Sequence, residues 1–201
     1  SDQKIALLGV CSDSGGGVCR GANWGPLYLR EKLYFQNKYG DLMDLGDIRV
    51  IPHWLHDRYL SDLAIRNSRQ SLYGNPEINL PVSPLSMTEY FLEKLLNLYP
   101  NLKILTLGGD HSVSYSLVKT YLKNSQKLKQ KVGLIHFDAH TDLLKERLGV
   151  DLCFGSWVSP ILDLLDSPGD CVQLGIRATG KTKDYWESER GVKQYWAQEI
   201  D

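Results

Sequence analysis

Short apolar runs alternate with segments of helical spacing along most of the 201-residue chain. Strands that alternate with helices are joined by crossover connections, which are right-handed and cover both faces of a parallel sheet. The pattern therefore predicts an α/β fold with a mostly parallel, doubly wound sheet. The apolar runs predict strands at residues 4–10, 47–52, 103–107, 132–137, 171–176 and 193–196.

The segments between these runs predict helices. Pro26 begins one that extends to about residue 37, because proline suits the first helical turn. Ser86 and Glu89 have the spacing of a capping box, which predicts a helix start at Ser86. Further helices are predicted at 112–122, 157–165 and 182–189, and a loop at 73–84. Because we find no repeat and no composition break, residues 1–201 are predicted to form a single domain.

The charge balance limits the kinds of partner that the chain can bind. Its formal net charge is −1, whereas nucleic acids and anionic membranes attract proteins with a basic excess. We therefore expect no nucleic-acid partner and no membrane partner. No apolar stretch approaches the length of a membrane span. The run at residues 5–10 is also too short for the core of a signal peptide, so we expect a cytoplasmic protein.

The four cysteines are Cys11, Cys19, Cys153 and Cys171. None forms a C-x-x-C pair, so the sequence indicates neither a zinc knuckle nor a thioredoxin motif. A chain of this length does not depend on disulfides for its core, and cytosolic proteins keep their thiols reduced. We therefore predict free thiols.

Polar side chains follow two of the predicted strands at the point where each strand ends. The strand at 103–107 leads into the sequence Gly-Gly-Asp-His-Ser at 108–112, and the strand at 132–137 leads into Asp-Ala-His-Thr-Asp at 138–142. In parallel sheets, ligands bind outside the carboxyl ends of the strands. The two segments are therefore candidates for one functional site.

Asp138, His140 and Asp142 alternate along the second of these segments, so in an extended backbone they would point to the same side. Two carboxylates in one place repel each other unless a cation lies between them. His111 can supply a fourth ligand from the other strand end. Carboxylate and imidazole ligands without thiolate suit manganese better than a structural zinc ion. Either motif alone is also compatible with a turn or a solvated loop, but their joint occurrence at strand ends favours a metal site.

Residues 108–112 and 138–142 resemble the paired metal motifs of the ureohydrolases, a family that includes arginases, agmatinases, formiminoglutamases and guanidinases. The resemblance covers nearly the whole chain. Supporting similarities lie in the glycine-rich segment and first helix at 16–30, at 44–47 and at 175–177. The two metal motifs are the most specific part of the resemblance.

The resemblance implies an arginase-like three-layer α/β/α fold and a site with two Mn²⁺ ions. His111, Asp138 and Asp142 would hold one ion, and Asp138 and His140 the other, with Asp138 bridging the two. Asp142 would also have a catalytic role, because it would accept a hydrogen bond from the hydroxide that attacks the guanidinium carbon. The implied substrate is a small guanidino or amidino compound, and the products are urea and an amine. Family members commonly form homotrimers or homohexamers.

The sequence departs from the family in three places. The family completes its metal site with a Ser-x-Asp-x-Asp motif on a later strand, and residues 192–201 do not contain one. The chain is therefore expected to be an N-terminal portion that is inactive by itself. Phe154 stands where arginases and agmatinases have a histidine that is thought to transfer protons. Residues 178–180 lack the acidic side chains with which arginases receive the α-amino group, so a substrate such as agmatine is at least as well favoured as arginine.

These departures leave a second interpretation open, namely a non-catalytic ureohydrolase-like protein with a binding or regulatory role. The intact motif at 138–142 argues against it. His136 lies within an apolar strand, and we interpret it as a residue that supports the site rather than as a ligand. His53 and His56 are interpreted as surface residues.

Overall fold

The computed structural model describes residues 5–38, 40 and 42–200. Lys4, the first residue of the first predicted strand, lies outside these residues. The chain divides into two compact units, residues 1–120 and 121–201. Each unit contains a three-stranded sheet in which all the paired strands are parallel.

The first unit is built around the strand order β2-β1-β3. Its elements are β1 (Ile5–Val10), α1 (Gly25–Phe35), β2 (Met43–Ile48), α2 (Asp62–Tyr73), α3 (Pro84–Leu98) and β3 (Lys103–Gly108). The next helix, α4 (Val113–Lys127), begins in this unit and ends in the second. The central strand β1 is buried along nearly its whole length, as expected for a parallel strand whose two faces are both covered.

The second unit has the strand order β4-β5-β6. Its elements are β4 (Leu134–Phe137), α5 (Val158–Leu162), β5 (Cys171–Ile176), α6 (Lys183–Arg190) and β6 (Lys193–Trp196). Two of its fully buried side chains are glutamines, Gln173 in β5 and Gln194 in β6. Buried amides need hydrogen-bond partners, so each of these glutamines must meet polar groups inside the unit.

The structure corrects several of the sequence-based boundaries and adds a helix. Helix α4 extends to Lys127 rather than to 122, α5 ends at Leu162 rather than at 165, and β4 begins at Leu134 rather than at 132. The second strand is β2, at Met43–Ile48, rather than at 47–52. Helix α3 begins at Pro84 with Ser83 at its N-cap, so the prediction of a capping box at Ser86 is wrong. The Ser86 hydroxyl instead accepts a hydrogen bond from the backbone N–H of Asp57 at 3.0 Å. Helix α2 was not predicted.

Two other sequence-based expectations can be compared with the structure. All four cysteines are free, as predicted. Among the helices of the described residues, none combines the length and the apolarity required to cross a lipid bilayer.

The turn after β3 is packed directly against the end of β1. A Cβ atom at Gly109 would lie 1.9 Å from the carbonyl oxygen of Ser12. That same oxygen accepts a hydrogen bond of 2.9 Å from the N–H of Asp110. Only glycine permits this approach, because the obstructing atoms belong to the backbone and cannot rotate away.

Gly109→Ala is therefore expected to lower the free energy of unfolding by about 2–3 kcal/mol, the upper part of the usual range for overpacking. Urea-induced unfolding monitored by circular dichroism measures this change. Gly180→Ala is the matched control, since a Cβ atom at Gly180 meets nothing within 4 Å. Equal stability of the two variants would contradict the packing argument.

Candidate metal centre

The segment that follows β4 continues the pairing of that strand with β5. Asp138 N–H donates to the carbonyl of Leu174 at 3.1 Å, and the N–H groups of Arg177 and Ala178 both donate to the carbonyl of Ala139 at 2.9 Å. These bonds fix the backbone from which the candidate ligands project. The segment therefore lies at the carboxyl end of the sheet of the second unit, as the sequence predicted.

His136, Asp138 and Asp142 come together at this strand end, with one ligand atom of each within 4.8 Å of the others. The Nε2 atom of His136 lies 3.4 Å from Asp138 Oδ2 and 3.9 Å from Asp142 Oδ2. The side chains of His136 and Asp142 are only 3% and 4% exposed. Two carboxylates this close, one of them fully enclosed, repel each other unless positive charge or N–H donors face them.

Trp157 fixes the orientation of the Asp142 carboxylate. Its indole N–H donates to Asp142 Oδ2 at 2.8 Å, and its ring meets the ring of His136 edge to face with 5.2 Å between the centroids. Trp157 is 2% exposed, so it cannot leave this contact without disturbing the core. Asp142 also has a positive φ of 51°, a left-handed conformation that aspartate adopts more readily than most residues.

His140 lies beside this group rather than within it. Its side chain is 63% exposed, and its Nδ1 atom lies 3.4 Å from Asp138 Oδ1. The backbone N–H of His140 donates to the same oxygen at 2.9 Å. The expectation that three alternating side chains share one side assumed an extended backbone, but the chain bends at Ala139 and His140 and has a left-handed φ at Asp142.

His111, the remaining predicted ligand, lies in the first unit and is half-buried between β3 and α4. The carboxylate of its neighbour Asp110 accepts hydrogen bonds from the N–H of Ser112 at 2.7 Å and from the N–H of Gly15 at 3.0 Å. Burial raises the pKa of Asp110, while these hydrogen bonds act in the opposite direction. Asp110 thus joins the glycine-rich loop to the turn that carries His111.

The donor set of this strand end suits a hard or borderline divalent cation. Imidazole and carboxylate are the ligands that manganese and catalytic zinc accept, and no thiolate is needed. Cys171, at the start of β5, is buried, and burial raises the pKa of its thiol to about 12. A thiol with that pKa stays protonated at neutral pH and is inert as a ligand.

Phe154, in the loop between this segment and α5, is half-buried. The guanidinium group of Arg147 lies over its ring, 5.1 Å from the centroid.

Trp157 was the functional residue least visible in the sequence, because nothing in its neighbourhood indicates that an indole N–H will meet a carboxylate fifteen residues earlier.

Comparisons with known proteins agree on one family. The Arginase family matches this chain over residues 3–201. A guanidinobutyrase from Pseudomonas aeruginosa is 35% identical over 206 residues, which include 96% of this chain and 55% of that protein. An agmatinase from Bacillus cereus is 26% identical over 196 residues, which include 96% of this chain and 59% of that protein.

Solved structures show the same architecture. The proclavaminate amidino hydrolase from Streptomyces clavuligerus superposes with a TM-score of 0.67 at 21% identity, over 98% of this chain and 60% of that one. The predicted arginase-like α/β fold is therefore confirmed. The chain spans 61% and 59% of the length of the first two curated relatives that it matches.

Proposed function

The chain belongs to the arginase family, and on that basis we propose that the full-length protein is a manganese-dependent hydrolase of a small guanidino or amidino compound. The observation that carries the proposal is the pair of carboxylates, Asp138 and Asp142, held together at the end of β4. Two carboxylates this close repel each other and destabilise the folded protein when no cation is bound. When a divalent cation is bound, they hold it in place. The expected products are urea, or a related amide, and an amine.

Within this proposal, His111, Asp138, His140 and Asp142 hold the metal. Two bound Mn²⁺ ions would supply Lewis acidity and make water acidic enough to act as a nucleophile at neutral pH. The Asp142 carboxylate, oriented by Trp157, accepts a hydrogen bond from the attacking water and so directs it.

The tail of the substrate is the least constrained part of the proposal. Ala178, Thr179 and Gly180 follow the end of β5 and offer no carboxylate to an α-amino group. Arginine is therefore not favoured over substrates that lack such a group. The similar protein named guanidinobutyrase supports the same choice, because 4-guanidinobutyrate has no amino group. Agmatine keeps the amine of arginine, and its support comes only from the similar protein named agmatinase.

A urea assay on the full-length protein with excess Mn²⁺ tests the proposal. We expect urea release from agmatine or 4-guanidinobutyrate that exceeds release from arginine and disappears after treatment with a chelator. Absence of manganese-dependent urea release from every guanidino compound would favour the second candidate, a ureohydrolase-like protein without catalytic activity. Phe154, which cannot transfer a proton, is the observation that supports that alternative.

Phe154→His supplies the missing proton-transfer group. General acid–base groups contribute large factors to turnover, so the variant is expected to raise kcat by roughly tenfold or more, or to introduce a new ionisation in the pH–rate profile. Steady-state kinetics across pH 6 to 10 measures both changes. An unchanged kcat and an unchanged profile in a folded variant would mean that this side chain does not lie near the reacting atoms.

We further propose that residues 1–201 belong to one catalytic domain and that the full-length protein is a cytoplasmic homotrimer or homohexamer. The basis of this proposal is the family resemblance. Sedimentation velocity on the full-length protein distinguishes these assemblies from a monomer.

A further inference from the structure

A row of hydrogen-bonded side chains crosses the sheet of the second unit and ends at His136. The indole N–H of Trp196 donates to Gln194 Oε1 at 3.0 Å. Gln194 Nε2 donates to Gln173 Oε1 at 2.7 Å. Gln173 Nε2 then contacts both the carbonyl oxygen of Thr141 at 2.6 Å and Nδ1 of His136 at 2.9 Å.

Strand register creates this row. His136 in β4 is paired with Gln173 in β5, and Gln173 is paired with Gln194 in β6. All three residues are buried, at 4%, 0% and 1% exposure. A buried polar row of this kind is tolerated only when its members satisfy one another.

The direction of every hydrogen bond in the row follows from its two ends. An indole N–H can only donate, so the atom that Trp196 meets on Gln194 must be the amide oxygen. A backbone carbonyl can only accept, so the atom that Gln173 presents to Thr141 must be the amide nitrogen. With these orientations the amide nitrogen of Gln194 faces the amide oxygen of Gln173, so the bond between the two glutamines pairs a donor with an acceptor. Neither amide can be turned over without setting two acceptors or two donors against each other.

The ring nitrogen of His136 that faces the row is therefore an acceptor. The amide NH₂ group of Gln173 has two hydrogens, one for Thr141 and one for His136 Nδ1. A lone pair at Nδ1 requires the neutral imidazole to carry its hydrogen at Nε2. That Nε2 atom faces the carboxylates of Asp138 and Asp142, at 3.4 and 3.9 Å.

We infer that His136 is a positioning residue, which presents an N–H group to Asp138 and Asp142 and is not itself a ligand of the metal. A histidine ligand needs the opposite arrangement, with a lone pair toward the metal and its other ring N–H donating to a supporting acceptor. The row holds His136 in the wrong tautomer for ligation. In the tautomer that the row selects, the Nε2–H group of His136 faces the carboxylates of Asp138 and Asp142 and offsets the repulsion between them.

The role assigned to His136 rests on the proposed function, but its tautomer does not. Long-range ¹H–¹⁵N correlation spectra of the metal-free, full-length protein report which ring nitrogen carries the hydrogen. We expect a hydrogen at Nε2 and a lone pair at Nδ1, with the signal assigned by its loss in His136→Gln. A hydrogen at Nδ1 in the folded protein would overturn the inference, whether or not the protein releases urea.

Metal affinity separates a positioning residue from a ligand. His136→Gln places an amide N–H close to the position of Nε2, whereas His136→Leu places no donor there. We expect His136→Leu to weaken Mn²⁺ binding by about 10- to 100-fold, the usual effect of losing a group that supports a ligand. His136→Gln is expected to restore most of that loss.

Isothermal titration with Mn²⁺ on the two variants, after circular dichroism has established that each is folded, provides the measurement. Equal losses in His136→Gln and His136→Leu would overturn the positioning role. If His136→Leu does not fold, wild-type affinity in His136→Gln still supports the role, and a loss of 10-fold or more in His136→Gln still contradicts it. If the wild-type chain shows the Nε2–H tautomer but releases no urea, the proposed function fails while the tautomer assignment stands.

Discussion

Asp138→Asn is expected to lower manganese-dependent kcat of the full-length protein by at least about a thousandfold, since without the bound cation water is too weak an acid to supply hydroxide at neutral pH. Asparagine has the shape of aspartate but not its charge. The variant should keep the hydrogen bond that Asp138 Oδ1 accepts from the N–H of His140, and so should keep the local backbone. Loss of function would then report the charge rather than the fold.

Two measurements accompany this prediction. Titration with Mn²⁺ should show weakened binding in parallel with the loss of turnover. The metal-free variant should be at least as stable as the metal-free wild type, because the repulsion between Asp138 and Asp142 is relieved. Asp166→Asn, an exposed carboxylate in the same unit, is the matched control and should leave both quantities unchanged. A variant of Asp138 that retains turnover would exclude this carboxylate from the metal site.

The part of the site that could be predicted from sequence is the part encoded in single contiguous segments. Residues 138–142 follow a strand directly, and the rule that parallel sheets carry their ligands at carboxyl strand ends placed them without any knowledge of tertiary contacts. The strands β5 and β6 were predicted at their observed bounds for a related reason. Strand β5 is a short, mainly apolar run bounded by Asp170 and Arg177, and β6 ends in two aromatic residues, Tyr195 and Trp196, which favour strands.

The row from Trp196 to His136 could not be predicted, because it depends on strand register. His136, Gln173 and Gln194 each occupy an unremarkable position in a separate strand, and only the pairing of β4 with β5 and of β5 with β6 brings them together. The local sequence did contain one signal. Each of these strands carries one buried polar residue, which in β4 and β5 stands among apolar neighbours, and buried amides occur where partners exist.

The misplaced start of α3 illustrates a different limit. Ser86 and Glu89 have the spacing of a capping box, but Pro84 is compatible with the first turn and the helix begins there. The two polar side chains are thereby released for tertiary contacts. Ser86 meets the backbone of Asp57, and Glu89 forms a partly buried ion pair with Lys119, with 2.8 Å between Oε2 and Nζ.

His56 belongs to the same cluster, so its interpretation as a surface residue is wrong. Its side chain is 15% exposed, and its Nε2 atom lies 3.6 Å from Glu89 Oε1. His53, three residues earlier, is exposed as predicted. Their neighbourhoods in the sequence are equally polar, and the difference arises only from how the segment packs against α3.

Glu89→Gln is expected to lower the free energy of unfolding by about 3 kcal/mol at neutral pH, the lower end of the range for breaking a buried ion pair. The lower end applies because the Glu89 and Lys119 side chains each remain 20% exposed. Glutamine keeps the length of the side chain but leaves the ammonium group of Lys119 without its counter-ion. Urea-induced unfolding at pH 7 gives the difference. Glu77→Gln, which removes a carboxylate that is 66% exposed from an ion pair with Arg66, is the control and should change stability little.

The same carboxylate predicts how stability depends on pH. Burial acts to raise the pKa of Glu89, but the hydrogen bonds and positive charges of His56 and Lys119 outweigh it and hold the pKa below its ordinary value of 4.5. A group whose pKa is lower in the folded state binds its proton more readily in the unfolded state, so its contribution is fully present above the unfolded pKa. That contribution must disappear as the pH falls from about 4.5 through the folded pKa. The difference in stability between wild type and Glu89→Gln should therefore shrink as the pH falls below about 4.5. A difference that stays constant down to pH 3 would show that the loss of stability in Glu89→Gln does not come from removing the charge of Glu89.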